Sequence, residues 1–145
     1  SRKKDLIIPA GGKNVSPGQL ETTVMTSPVV AQCLVIGDRK PFIAALVTLD
    51  LDDANAWLAS QGAATADSLE ELSKNPIVHA EVERIVNKAN EGVSRAESIR
   101  KFEILPDEFT QANGMLTASL KSRRAQIVDH YRKLIDTVIY VPRKK

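Results

Sequence analysis

Aromatic residues supply only 4% of this 145-residue chain, and cysteine occurs once. The core must therefore be packed from Val, Ile, Leu and Ala, drawn from an apolar fraction of 43% that is ample for a folded domain. A lone cysteine, Cys33, excludes an intramolecular disulfide and fits a reducing compartment. In its apolar run it reads as a small buried hydrophobe rather than a nucleophile. No apolar stretch approaches the ~20 residues needed to cross a bilayer, so no transmembrane segment is expected and only peripheral membrane contact stays open. Residues 1–12, SRKKDLIIPAGG, lack the hydrophobic region and cleavage site of a signal peptide, which points to a cytoplasmic protein. An excess of either charge is missing too. The 20 basic and 18 acidic residues leave a net charge of +2, which argues against a nucleic-acid partner. His79 and His130 are far apart and have no Cys at ligand spacing, so no metal site is expected. There is no G-x-S-x-G elbow, and Gly11-Gly12-Lys13-Asn14 lacks the spacing and the Ser/Thr of a Walker loop.

What the chain does have is clustered basic charge: Arg2-Lys3-Lys4, Arg39-Lys40, Lys121 with Arg123-Arg124, and Arg143-Lys144-Lys145. Local positive charge on a near-neutral body suits a small anionic ligand. The length fits a single domain over residues 1–145. The glycine pair Gly11-Gly12 between two extended pieces predicts a tight hairpin or a loop with unusual backbone angles. Ser16-Pro17, with Gln19 at the capping-box position, predicts a helix ending before Ser27-Pro28. Two apolar runs, 29–36 and 42–49, flank a polar connector and read as a strand hairpin buried on both faces at the centre of a sheet. A helix is expected over 52–61, and an amphipathic one after Asn75-Pro76 with Val78, Val82, Ile85, Val86, Ala89 and Val93 on one face. A strand over 99–105, a loop over 106–119 and a helix over 122–137 follow, the last with Ile127, Val128, Tyr131, Leu134, Ile135 and Val138 inward. The fold class is α+β: a small β-hairpin plus a central, mainly antiparallel three-stranded sheet flanked by helices.

Packing leaves two segments unexplained, 2–16 and 113–124. In the second, small polar residues lead into Lys121 at an expected helix start, where open backbone N–H groups favour an anion. From composition alone the first is an ordinary turn and the second a solvated helix start, because charge runs usually face water. The motifs shift that balance. Arg2-Lys3-Lys4-Asp5-Leu6-Ile7-Ile8, followed by Gly11-Gly12-Lys13-Asn14-Val15-Ser16-Pro17, resembles the hinge and glycine loop of the adenylate-forming superfamily. Phe102-Glu103-Ile104-Leu105-Pro106 with Phe109-Thr110, then Asn113-Gly114-Met115-Leu116-Thr117 to Lys121, is similar to the closing motif of long-chain fatty acyl-CoA synthetases. Ala118 and Ser119 stand where that subgroup usually has Pro and Thr.

The resemblance implies the C-terminal mobile domain of an AMP-forming long-chain fatty acid–CoA ligase. It implies ATP, Mg2+ and coenzyme A in the intact enzyme, none of them bound to this piece, which alone should be inactive. The implied partners are its own N-terminal ATP- and acyl-binding domain, a fatty acid and coenzyme A. Lys121 is implied as the catalytic lysine of adenylation, Arg2 as a nucleotide contact and Lys4 as the hinge. Gly11, Gly12 and Lys13 are implied to line the path of the coenzyme A thiol arm, and Arg39 to meet its phosphates. Two alternatives stand beside this reading: the lid of a fatty acyl-AMP ligase feeding a carrier protein, and a stand-alone module binding anions or nucleic acid.

Overall fold

A computed structural model of the chain describes residues 7–12, 14–119 and 121–140. The chain divides into two compact units, residues 1–108 and 109–145.

The first unit is built around three strands in the order β1-β2-β3: β1 (Val30–Ile36), β2 (Ile43–Leu49) and β3 (Ile99–Ile104). The two continuous apolar runs form β1 and β2, which pair antiparallel from Val30↔Leu49 to Ile36↔Ala44. Only β2 is central, and β1 is an edge strand. On that edge the Val35 N–H donates to Glu21 Oε2 at 2.8 Å. β3 joins β2 parallel, from Ile43↔Ile99 to Val47↔Ile104, so the sheet is mixed. A parallel partner requires a long crossover. It is supplied by α2 (Leu51–Ser60), α3 (Leu69–Ser73) and α4 (Pro76–Asn90).

Each crossover helix starts where a short polar side chain caps it. Asp50 accepts from the Asp53 N–H, Ser68 from Glu71, and Asn75 from Ile77 and Val78. Ser16 stands as N-cap of α1 (Pro17–Val24) but its side chain makes no capping bond, so the expected capping box is absent there. A capping box does close the short 3-10 turn Arg95–Glu97, between Ser94 and Glu97.

One face of the sheet carries the core. Cys33, Val35, Ala45, Val47 and Ile104 pack in a single cluster with Leu20 and Val24 of α1 and with Val78, Val82, Ile85, Val86 and Ala89 of α4. Each fully buried aliphatic side chain there contributes about 1.5–3 kcal/mol. On the other face Leu34, Ala44, Leu46 and Thr48 are fully buried as well.

A polar cluster that the apolar periodicity of α4 did not reveal lies inside this unit. Glu81 is buried on the apolar face of α4. Its carboxylate accepts from Ser27 Oγ at 2.8 Å and from Arg84 Nε and Nη2 at 2.9 Å each. The cluster ties the segment after α1 to α4.

The second unit holds a loop and a segmented helix. α5 (Arg124–His130) breaks at Tyr131, a turn of helix covers Arg132–Leu134, and Ile135–Ile139 is π-helical. A continuous helix with Val138 inward was expected, but Val138 is 47% exposed and Ile139 is buried instead. The buried residues Ile127, Ile135 and Ile139 recur at multiples of four. A 3.6-residue helix would rotate such a stripe off its face, whereas widening to a π turn keeps it aligned.

The Arg84 guanidinium holds the Glu81 carboxyl below its ordinary value; burial opposes this and the Ser27 hydroxyl adds to it. A carboxyl depressed in the folded state stabilises above its ordinary value of 4.5 and loses that contribution as pH falls through the folded value. Glu81→Gln should therefore cost about 1–3 kcal/mol at pH 7. The gap to the wild type should close progressively below pH 4.5. Denaturant titrations of both proteins at a series of pH values measure it. A gap that did not change with pH would contradict the charged cluster.

Candidate functional site

Between Ile7 and Val15, which exchange both backbone hydrogen bonds at 2.8 Å, the chain turns through Pro9–Gly12. The expected small hairpin is thus reduced to a single bridged pair. The Gly12 N–H closes the turn onto Pro9 O at 2.9 Å, with φ +88° at Gly12. That angle demands glycine whatever else the residue does. Gly11 is different. Its φ is not positive, and a Cβ added there would meet nothing within 4 Å. Among the described residues, neither the backbone nor the packing calls for a glycine at position 11. A residue kept bare over open space suits a second molecule that must come close to the main chain.

The glycine turn is clasped to the connector between β1 and β2 by three hydrogen bonds. The Ile8 N–H donates to Asp38 Oδ1 at 3.1 Å, the Arg39 N–H to Ile8 O at 2.8 Å, and the Ala10 N–H to Lys40 O at 2.9 Å. The connector is itself closed from the Lys40 N–H to Gly37 O at 2.9 Å. At Gly37, where φ is +152°, a Cβ would lie 2.7 Å from Ile43 Cδ1 and 3.1 Å from Phe42 O, so a side chain there would force the Ile43 side chain to shift at the start of β2. Arg39 adopts φ +61°, a left-handed conformation that disfavours any residue with a Cβ and costs of order 1 kcal/mol. Its exposed side chain makes no hydrogen bond or ion pair among the described residues. The structure thus brings Gly11, Gly12 and Arg39 onto one hydrogen-bonded platform. Arg2, Lys4 and Lys13 lie outside the described residues. Asp38, which fastens the platform, was not singled out from sequence; an Asp beside a turn glycine is the signal that could have marked it.

Lys121 belongs to the second unit. Its loop is organised by Asn113, whose Oδ1 accepts from the Thr110 and Met115 N–H groups at 3.1 Å each. Leu116 and Ser122 then form an antiparallel bridge. Within it the Thr117 N–H donates to Lys121 O at 2.9 Å and the Lys121 N–H to Thr117 Oγ1 at 3.1 Å. α5 begins only at Arg124, so Lys121 does not start a helix with open amides, and its own amide is committed to Thr117. Its side chain is exposed. The loop therefore fixes where the lysine leaves the backbone while the ammonium group reaches into solvent. The displaced carboxyl of Glu103, raised by burial with His79 opposing, belongs to β3 rather than to either loop. Among the described residues no group of three or more His, Cys, Asp or Glu is placed to hold a metal ion. Nor is any helix long and apolar enough to cross a membrane.

Comparison with known proteins gives a consistent picture. The family described as AMP-binding enzyme C-terminal domain matches residues 4–141. The chain is 40% identical over 137 residues to the long-chain-fatty-acid–CoA ligase FadD15 of Mycobacterium tuberculosis, covering 94% of this chain and 23% of that protein. It is 29% identical to the human long-chain-fatty-acid–CoA ligase ACSBG1, covering 94% of this chain and 21% of the relative. The chain thus spans about a quarter of the length of the curated relatives it matches. Among solved structures, the A domain of the carboxylic acid reductase from Segniliparus rugosus, in complex with AMP and a co-purified carboxylic acid, superposes with a TM-score of 0.67 at 25% identity. That match covers 97% of this chain and 20% of the other. A Mycobacterium tuberculosis fatty acyl CoA synthetase shares the fold, with a TM-score of 0.55 at 18% identity over 92% of this chain and 21% of its own.

The platform makes opposite demands on its two neighbouring turn residues. Asp38→Ala should release the Ile8 N–H, lower stability by about 1 kcal/mol and speed hydrogen exchange at that amide. Arg39→Gly should leave thermal stability unchanged or raise it, because glycine adopts φ +61° without strain. Thermal melts and amide exchange check both, and a destabilising Arg39→Gly would show that the arginine is kept for the fold.

Proposed function

Because the chain belongs to the family of AMP-binding enzyme C-terminal domains, matched over residues 4–141, we propose that it is the mobile lid of a long-chain fatty acid–CoA ligase acting in the cytoplasm. In the intact enzyme a fatty acid carboxylate attacks the α-phosphate of ATP, releasing pyrophosphate and forming an acyl-adenylate. The coenzyme A thiol then displaces AMP. The partner of this domain is the ATP- and acyl-binding domain of the same enzyme, and alone the domain does not adenylate. Mg2+ accompanies ATP in that domain and neutralises phosphate charge.

Lys121 serves the first step. A compact ammonium on a flexible stem, mounted on a fixed loop, meets the negative charge that builds on the phosphate oxygens as the carboxylate attacks. Arg2 touches the nucleotide, and Lys4 is the hinge where backbone angles absorb rotation of the lid. The glycine platform serves the second step: Gly11, Gly12 and Lys13 line the path of the thiol arm and Arg39 meets its phosphates. The observation that carries this reading is Gly11, a glycine with no local role among the described residues, on a turn held by three hydrogen bonds to the Arg39 connector.

In the intact ligase Lys121→Ala should slow pyrophosphate release by a factor on the order of 10²–10³, the loss expected for one charge-stabilising donor. Thioester formation from supplied acyl-adenylate should stay within a few-fold of wild type. Gly11→Leu should reverse the pattern. It is a cleaner probe than Gly12→Leu, since no atom lies within 4 Å of a Cβ at position 11 and the backbone there is unstrained. Lys4→Pro should slow overall turnover by fixing φ at the hinge. Equal damage to both half-reactions by Lys121→Ala would overturn the division.

A further inference from the structure

Lys121 stands at the end of a short hairpin that departs from the ordinary form at one residue. The Arg123 N–H donates to Met115 O at 2.8 Å and Leu116 bridges Ser122, so two antiparallel arms lead up to Thr117 and Lys121. Met115 and Leu116 are buried, which roots the first arm in its own unit. A closing pair in such a ladder ordinarily exchanges two backbone hydrogen bonds. Only one is present here, from the Thr117 N–H to Lys121 O at 2.9 Å. The Lys121 N–H donates instead to Thr117 Oγ1 at 3.1 Å, and Thr117 O accepts from Gln111 Nε2 at 3.2 Å. Ser119 Oγ lies 3.1 Å from the same threonine hydroxyl. Thr117 therefore commits its amide, its hydroxyl and its carbonyl, the first two to the main chain of Lys121. A side chain branched at Cβ has few χ1 positions, so this hydroxyl is a firm anchor. Gln111, Thr117 and Ser119 are all exposed, and bonds that compete with water add little to stability. What they govern is the direction in which Lys121 leaves the chain. A small rotation of that peptide is magnified at the far end of the lysine side chain, where a displacement of about 1 Å at a reacting centre can cost on the order of 10² in rate.

We propose that Thr117 and Gln111 are positioning residues for the adenylation step. The Thr117 hydroxyl orients the main chain of Lys121, and the Gln111 carboxamide holds Thr117 in the conformation that offers it. The proposal rests on the reading of Lys121 as the group that meets the phosphate charge. Both residues act through the lysine and not on the substrate, so their effect exists only while the lysine is there.

The test is a double-mutant cycle on pyrophosphate release by the intact ligase. Thr117→Val keeps the shape and removes the hydroxyl, and should lower kcat about tenfold, the worth of one orienting hydrogen bond, with KM for ATP and fatty acid little changed. Thr117→Ser keeps the hydroxyl and should stay within about twofold of wild type, losing only the stiffness of the branched side chain. Gln111→Met, similar in length but without the donor, should lower kcat by less than Thr117→Val does. Introduced on top of Lys121→Ala, Thr117→Val should cause no further loss, because residues that act as one unit are not additive. Thioester formation from supplied acyl-adenylate separates positioning from a damaged fold: an equal loss there for Thr117→Val would overturn the proposal. So would full activity of Thr117→Val, or a further tenfold loss in the Lys121→Ala background, which would put the hydroxyl on the substrate itself. The single variants separate the two levels. A slow Lys121→Ala beside a silent Thr117→Val overturns the positioning role alone, whereas a silent Lys121→Ala overturns the reading of the lysine as well.

Discussion

Strand β2 is buried along all seven of its residues and hydrogen-bonded along both edges, and the register of this one strand sets where the rest of the first unit can lie. Side chains alternate across a strand, so a slip of one residue would turn Ala45, Val47 and Leu49 away from α1 and α4. Gly37 helps to hold that register. Its missing Cβ leaves room for Ile43 Cδ1 at the point where β2 begins. The same short connector that starts β2 also presents Asp38, Arg39 and Lys40 to the glycine turn. Core packing and the exposed platform are therefore two ends of one constraint: what fixes the strand also fixes the surface beside Gly11.

The two candidate loops are built in the same way in different units. In each, backbone groups are tied to backbone or to one short polar side chain, Asp38 in the first and Asn113 with Thr117 in the second. Long cationic side chains, Arg39 and Lys121, then project from fixed main chain into solvent. A flexible cation on a fixed mount keeps its reach while losing little positional certainty at its base. That is the arrangement expected of groups that must meet a ligand brought by another part of an enzyme, and a poor one for groups whose task is internal packing.

Legibility from sequence followed the range of the interactions involved. β1, β2 and α4 were readable because a continuous β-branched run and a 3.6-residue stripe are local patterns. The strand over Ile99–Ile104 was expected too, but its parallel direction was not readable, since that depends on how a crossover of three helices returns the chain. Glu81 was hidden for a different reason. A single carboxylate on an apolar stripe looks like an imperfection until Ser27, far away in sequence, and Arg84 are seen to satisfy it. The last helix misled because Tyr131 to Ile139 changes its winding, and a stripe read at 3.6 residues per turn selects Val138 where the π turn buries Ile139. Of the candidate site, Lys121 and the glycine pair were visible as motifs. The contact between the glycine turn and Arg39 was not, because it is made by backbone atoms whose meeting no residue type announces.

Structural cost separates residues kept by the fold from residues kept for something else. Gly12 and Gly37 are explained where they stand, one by its left-handed φ and the other by the Ile43 side chain that fills its space. Gly11 has no such explanation, and a glycine in an ordinary conformation still carries an entropic penalty relative to alanine. Arg39 goes further, since it occupies a conformation that glycine or asparagine would adopt more cheaply and spends its side chain on no described partner. Such costs persist only when something outside local stability repays them. Both fall on one platform, within three hydrogen bonds of each other, and neither residue is needed by the core beneath. The coincidence of a glycine with no local role and a strained arginine with no side-chain partner, both among the described residues, is what singles out this surface, independently of any motif that names it.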